Sequence, residues 1–214
     1  MDTNPLPSAR RSTGAVLVGA AALVLSLAAC SAPGTPATGA PSGQISSSAP
    51  TSVPLTESNP PGDIPDNQAF VPFTDPSGAV TVKVPEGWAR TAGGDGGTTF
   101  TDKLNSIALQ VAAAPSGLSP AQVRSTVVAK LTSKVPAFAL GDVQQITRSG
   151  SPAVLVTYQG DSAQDPVTGK VIRDAFELYV FFHNGTQVLL TLTGPANADN
   201  VDPWRIVSDS ITWP

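Results

Sequence analysis

Phe176-Glu177-Leu178-Tyr179-Val180-Phe181-Phe182-His183-Asn184-Gly185-Thr186-Gln187-Val188-Leu189-Leu190-Thr191-Leu192-Thr193 carries the plainest structural signal in this 214-residue chain. Two strongly apolar β-type runs, 176–182 and 187–193, flank Asn184-Gly185. That dipeptide favours a type I′ turn because both of its residues tolerate positive φ. The stretch therefore predicts an antiparallel hairpin.

Working upstream, residues 142–147 and 153–158 form two more β-type runs, joined by Arg148-Ser149-Gly150-Ser151-Pro152. A longer loop over 160–170 separates them from the hairpin. Before them lies one well-signalled helix. Ser119 can cap it, Pro120 suits the first helical position, and Gln122 completes a Ser-x-x-Gln capping box. Val123, Val127, Leu131 and Val135 recur every four residues with Val128 beside them, an apolar stripe suited to packing on a sheet. Arg124, Lys130 and Lys134 occupy its polar face. Earlier still, Ile107, Leu109 and Val111 mark a strand and Thr98-Thr99-Phe100-Thr101 another, reached through the Gly-rich loop 93–97. Residues 79–84 alternate apolar and polar residues, the pattern of a half-buried strand. Asp75-Pro76-Ser77-Gly78 supplies the turn to a partner strand over 70–74. Downstream, Asp202 reads as a helix cap and Pro203 as the first helical residue, with Trp204, Ile206 and Val207 directed inward. Ile211 and Trp213 then finish against the core.

The other end of the chain follows a different logic. Arg10-Arg11, the apolar run 14–27 and Leu27-Ala28-Ala29-Cys30 follow the order of an export signal ending in a lipobox. The apolar run is short of the ~20 residues that a span requires. Cys30 is the only cysteine, so no disulfide can form within the chain, and lipidation accounts for its thiol. One acyl chain attaches reversibly, whereas a diacylglyceryl group makes a lasting anchor. The expectation is a lipoprotein signal peptide over 1–29 and a lipid-anchored, extracytoplasmic protein at the cell membrane. Residues 30–66 then form a disordered stalk of Pro, Ser, Thr, Gly and Ala. That composition cannot bury enough apolar surface to offset its ordering entropy. A single globular domain occupies 67–214. Every aromatic residue lies from Phe70 onward.

Charge and chemistry restrict the role. The formal charge is −4; losing residues 1–29 removes Arg10, Arg11 and Asp2 and leaves an acidic chain, contrary to what nucleic-acid binding needs. His183 is the only histidine, which excludes multi-His metal sites. It precedes the Asn184-Gly185 turn and reads as an exposed turn residue, and no Gly-x-Ser-x-Gly elbow offers a nucleophile. Asp174 and Glu177 lie three residues apart on a strand and so face opposite sides. Neither 93–97 nor Thr168-Gly169-Lys170 matches a phosphate loop. The reading assigns no catalytic residues, cofactor or metal. It keeps Trp88, Asp161, Asp165 and Lys170 as candidate contacts for a partner or ligand.

Phe73-Thr74-Asp75-Pro76-Ser77-Gly78, the strand after it, and Val84-Pro85-Glu86-Gly87-Trp88 resemble the opening hairpin of PsbP/Mog1-like domains. They are similar in particular to actinobacterial (mycobacterial-type) lipoproteins of the LpqN/LpqT type. The late hairpin followed by a short helix at Trp204-Arg205-Ile206-Val207-Ser208 fits the same resemblance, which runs from about residue 70 to 213. It implies an α+β fold in which an antiparallel sheet is sandwiched by helices, α/β/α. It also implies binding or assembly rather than catalysis. The expected function is that of a non-enzymatic binding module of the cell envelope, partnered by an envelope protein or lipid. The alternative is a carrier of an apolar lipid held between sheet and helix.

Overall fold

The computed structural model describes residues 60–93 and 96–214. The expected signal peptide, Cys30 and the expected stalk as far as residue 59 lie outside the described residues. Seven strands form one antiparallel sheet: β3 (Ala89–Ala92), β4 (Thr98–Asp102), β5 (Asn105–Ala113), β9 (Thr186–Pro195), β8 (Arg173–His183), β7 (Ser151–Asp161) and β6 (Ala139–Arg148), in that spatial order. β8 and β9 are the hairpin predicted from Asn184-Gly185. Both turn residues have positive φ, 44° and 80°, and His183 pairs with Thr186 across it.

The predicted hairpin of β1 (Phe70–Thr74) and β2 (Thr81–Pro85) also forms, but as a separate two-stranded sheet laid on one face of the larger one. Phe73 meets Phe100 of β4 edge-to-face, ring centroids 5.0 Å apart. Val82 and Val84 bury beside Ile107, Leu109, Leu190 and Leu192. The helix α3 (Val201–Asp209) and Ile211 complete this layer, with Trp204 and Val207 in its core. We call this the hairpin face.

The opposite, helix face is covered by one helical run: α1 (Pro120–Val123), a π-helical stretch (Arg124–Val128) and α2 (Ala129–Lys134). The Ser119–Gln122 capping box is present with both of its hydrogen bonds. A repeat of four residues drifts about 40° per step around a regular α-helix. The wider π turn slows that drift and keeps Val123, Val127 and Leu131 toward the sheet. There they pack with Val154, Val156, Tyr158, Leu178 and Val180. The architecture is thus α+β, an antiparallel sheet with helices on both faces.

Four expectations change. The stalk boundary at Asp66 falls inside packed chain: Ile64 is buried and its amide donates to Asn200 Oδ1 at 2.8 Å. The Gly62 carbonyl accepts from Asn105 Nδ2 at 2.8 Å and Asn200 Nδ2 at 3.0 Å. At Gly62, φ is +99° and a Cβ would stand 2.4 Å from Pro195, so only glycine fits this close approach. Asn200, not Asp202, caps α3 by position, and its side chain serves this network instead of the helix. Ile206 faces solvent, because on an α-helix it lies about 200° around from Trp204 and cannot share the buried face of Trp204 and Val207. His183 is half-buried, not exposed: its ring stacks on Trp213 at 4.9 Å.

Candidate functional site

The residues kept as candidate contacts separate. Trp88 is half-buried against the hairpin-face core. It precedes β3, at the opposite end of that strand from the Gly-rich loop, and the buried part of its ring packs on that core. Asp161, at the end of β7, pairs across the strands with Arg173 at 3.0 Å. Arg173 also donates to the Ala137 carbonyl at 2.7 Å. Asp161 therefore closes a strand end.

Asp165 and Lys170 do come together, in the loop between β7 and β8. Asp165 Oδ1 accepts from the amides of Thr168 at 2.7 Å and Val167 at 3.0 Å and from Thr168 Oγ1 at 2.9 Å. The Thr168 amide is the main cause holding this carboxyl below its ordinary range, since the bonds favour the charged form. The Lys170 carbonyl accepts from the Asp165 amide, and the Ser162 amide donates to the Ile172 carbonyl, at 2.9 and 2.8 Å. The loop is thus held shut on itself by its own backbone.

Beneath the loop lies a cavity of about 510 Å³, lined among others by Lys103, Leu104, Asp165, Lys170, Ile172 and Asp174. Lys103 and Leu104 form the turn between β4 and β5. Asp174 points to the helix face with Phe176 and Leu178, while Glu177 points to the hairpin face, as their spacing requires. Asp174 is only 9% exposed. Among the described residues no group donates a hydrogen bond to its carboxylate. Burial first, and the charge of Asp161 second, push its carboxyl above the ordinary range. Nothing local in the sequence distinguishes Asp174 from a solvated strand-end acid, because its burial is created by the loop and the β4–β5 turn.

The hairpin face holds a second polar arrangement. Arg148 NH2 donates to Tyr179 Oη at 3.3 Å, and that hydroxyl donates to Glu177 Oε2 at 2.5 Å. Burial, reinforced by the bond to Glu177, raises the Tyr179 phenol. Glu177 also borders a groove of about 380 Å³ with Leu140, Gly141, Thr157 and Trp204. Gly141 is required at the bulge in β6, where a Cβ would stand 2.6 Å from Thr157 Oγ1.

The helical run covers only β6, β7 and β8, with a margin on β9. Over β3, β4, β5 and β9 the same face carries Thr91, Thr99, Thr101, Ser106, Ala108, Thr191 and Thr193, none of them buried. Register places Thr91 beside Thr99, Thr101 beside Ser106, and Ala108 beside Thr191. The result is an open surface of small, mostly hydroxylated side chains. Among the described residues, no three His, Cys, Asp or Glu side chains gather as a metal cluster, and no helix is long and apolar enough to cross a membrane.

No family model matches the chain, and no curated protein matches it in sequence. Solved structures do resemble it. A protein from Bacteroides thetaiotaomicron is similar over 67% of this chain at 9% identity and a TM-score of 0.47, and the chain spans 48% of that protein's length. Cyanobacterial PsbP (CyanoP) from Synechocystis sp. PCC 6803 is similar over 69% of this chain and 94% of its own, at 13% identity and TM-score 0.49. LpqN of Mycobacterium tuberculosis, described as involved in cell envelope biogenesis, is similar over 70% and 93% of the two chains, at 18% identity and TM-score 0.43. The likeness in each case is one of fold.

Proposed function

We propose that the chain is a non-enzymatic binding module of the cell envelope, held on the extracytoplasmic face of the membrane through a lipid on Cys30. The observation that carries the binding role is the half-covered helix face. The helical run stops short of β3, β4, β5 and β9 and leaves their Thr/Ser/Ala surface open, and backbone pairing across four strands holds it in place. Such a surface can receive a partner with little loss of conformational entropy. The anchor is supported by the lipobox and by the lone cysteine. The alternative is an apolar lipid held between sheet and helix. The opening between the helical run and the sheet, lined by Leu118, Val154, Val180 and Phe182, measures about 170 Å³, against roughly 300 Å³ or more for ligand pockets; the groove beside Trp204 of α3 reaches about 380 Å³ but has the Glu177 carboxylate in its lining.

Photo-crosslinking residues placed at Thr99 and Thr191 in the native host test the binding role. A discrete adduct with an envelope component is expected from both positions and not from Arg205 on α3. Equal labelling at all three would overturn the assignment of this surface. Independently, Cys30→Ser should release the protein from the membrane fraction; retention of that variant would end the anchored reading.

A further inference from the structure

We infer that the cavity under the loop between β7 and β8 binds a zwitterionic aminoalkyl phosphate, with the ammonium on Asp174 and the phosphate on Lys103 and Lys170. Asp174 is 9% exposed, no donor among the described residues bonds its carboxylate, and the carboxylate oxygens stay in contact with the space of the cavity instead of being sealed in the core, so its charge is open to a ligand cation. Neither lysine of the cavity lies within ion-pair distance of it; Lys103 pairs instead with Asp102, at 3.9 Å. The cavity is therefore lined by one nearly buried anion without an ion-pair partner and by two exposed cations. Such a cavity favours a ligand with the opposite polarity: positive end inward, negative end outward. Asp165 does not compete for the ammonium through Oδ1, which already accepts three hydrogen bonds from Val167 and Thr168. The backbone bonds that close the loop keep the walls in place before any ligand arrives, which lowers the cost of binding.

The surroundings select a lipid headgroup, phosphoethanolamine, as the source. Leu104 is 38% exposed, Val171 52% and Val167 91%, so apolar side chains project around a rim that also carries Lys103 and Lys170. Apolar side chains beside basic ones are what a membrane-interface contact requires. Gly62, near the start of the described chain, is hydrogen-bonded to Asn105, the neighbour of Leu104, so the tether reaches the domain at this end of the sheet. The choice of a lipid rests on the anchored reading above; the charge pattern of the cavity does not.

Titration of the full chain in dodecyl maltoside with O-phosphoethanolamine, followed by calorimetry, tests the site. Saturable binding is expected. Asp174→Asn, a neutral isostere, should weaken it by about tenfold or more, the loss typical of one charged hydrogen bond. The surface double variant Lys103→Ala/Lys170→Ala should weaken it severalfold, and ethanolamine alone should bind less well than the zwitterion. Phosphatidylethanolamine added to the micelles should displace the probe, whereas phosphatidylcholine, whose ammonium has no N–H, should not. Absence of saturable binding, or binding indifferent to Asp174→Asn, would overturn the site. Binding of the probe without displacement by phosphatidylethanolamine would overturn the lipid source alone.

Discussion

The two faces of the seven-stranded sheet are built for different ends. The hairpin face is sealed by elements from both ends of the domain: β1 and β2, α3 and the C-terminal residues all lie on it. Its buried cluster runs continuously from Ile64 to Ile211. The helix face is covered by a single short helical run over three strands, and its cluster is correspondingly smaller. What remains open on that side is the Thr-rich half-sheet and the Asp174 cavity. Cohesion is thus concentrated on one side of the sheet, which frees the other to carry surfaces that do nothing for folding.

The sharpest way to break this contrast is to hollow out each side in turn. Leu190→Ala, fully buried at the centre of the hairpin face, should cost about 2–5 kcal/mol. Val123→Ala, equally buried under the helix, should cost only about 1–2 kcal/mol, since fewer methylenes leave and the helix can settle. Equal losses in chemical denaturation would erase the distinction. Next in size is Asn200→Ala. It leaves the Ile64 amide and Asn105 Oδ1 without their partner and should cost about 1–3 kcal/mol. It should also expose residues 60–66 to proteolysis; an unchanged digestion pattern would count against the packed role of that segment.

Asp174→Asn should act in the opposite direction. Because burial, and then Asp161, raise the Asp174 carboxyl, the folded chain holds that proton more tightly than the unfolded chain. The stability linked to this group therefore falls as pH rises from the ordinary carboxylate range through the raised value, and the deficit is complete above it. Lys103, Lys170 and Asp165, which also line the cavity, do not offset it. The variant should melt higher than the wild type near about pH 7, and the two should converge near about pH 3. A lower melting temperature at neutral pH would mean that Asp174 is paired after all. The smallest effect belongs to Thr99→Lys on the open half-sheet, within about 0.5 kcal/mol of the wild type. A larger loss would show that this surface contributes to folding.

Much of this arrangement is legible in the residues. Asn184-Gly185 fixes the central hairpin, and Ser119 with Gln122 fixes the start of the helix, because turn and cap chemistry are local. Other features are tertiary and leave no local trace. β3 has no apolar alternation and is exposed at every position; only pairing with β4 makes it a strand. Residues 60–66 read as stalk because Pro, Gly and Asp dominate them, yet Ile64 is buried in the hairpin-face cluster and its amide is bonded to Asn200, 136 residues away. Asp202 has the right residue type for a cap, but the helix begins where Asn200 is held by Gly62 and Asn105. Of the candidate contacts, Asp165 and Lys170 reach a common cavity, while Trp88 and Asp161 serve packing and a strand end. The carboxylate at that cavity's wall, Asp174, is conspicuous only once the chain has folded over it.

The clasp of Gly62 by Asn105 and Asn200 has a mechanical consequence. β1 belongs to a sheet of only two strands, and a force applied directly to its first residue would unzip it one hydrogen bond at a time. A pull travelling along the chain from residues before 60 meets the clasp first. There the load divides between the β4–β5 turn and the start of α3, so such a load enters the hairpin-face core before it reaches the two-stranded sheet.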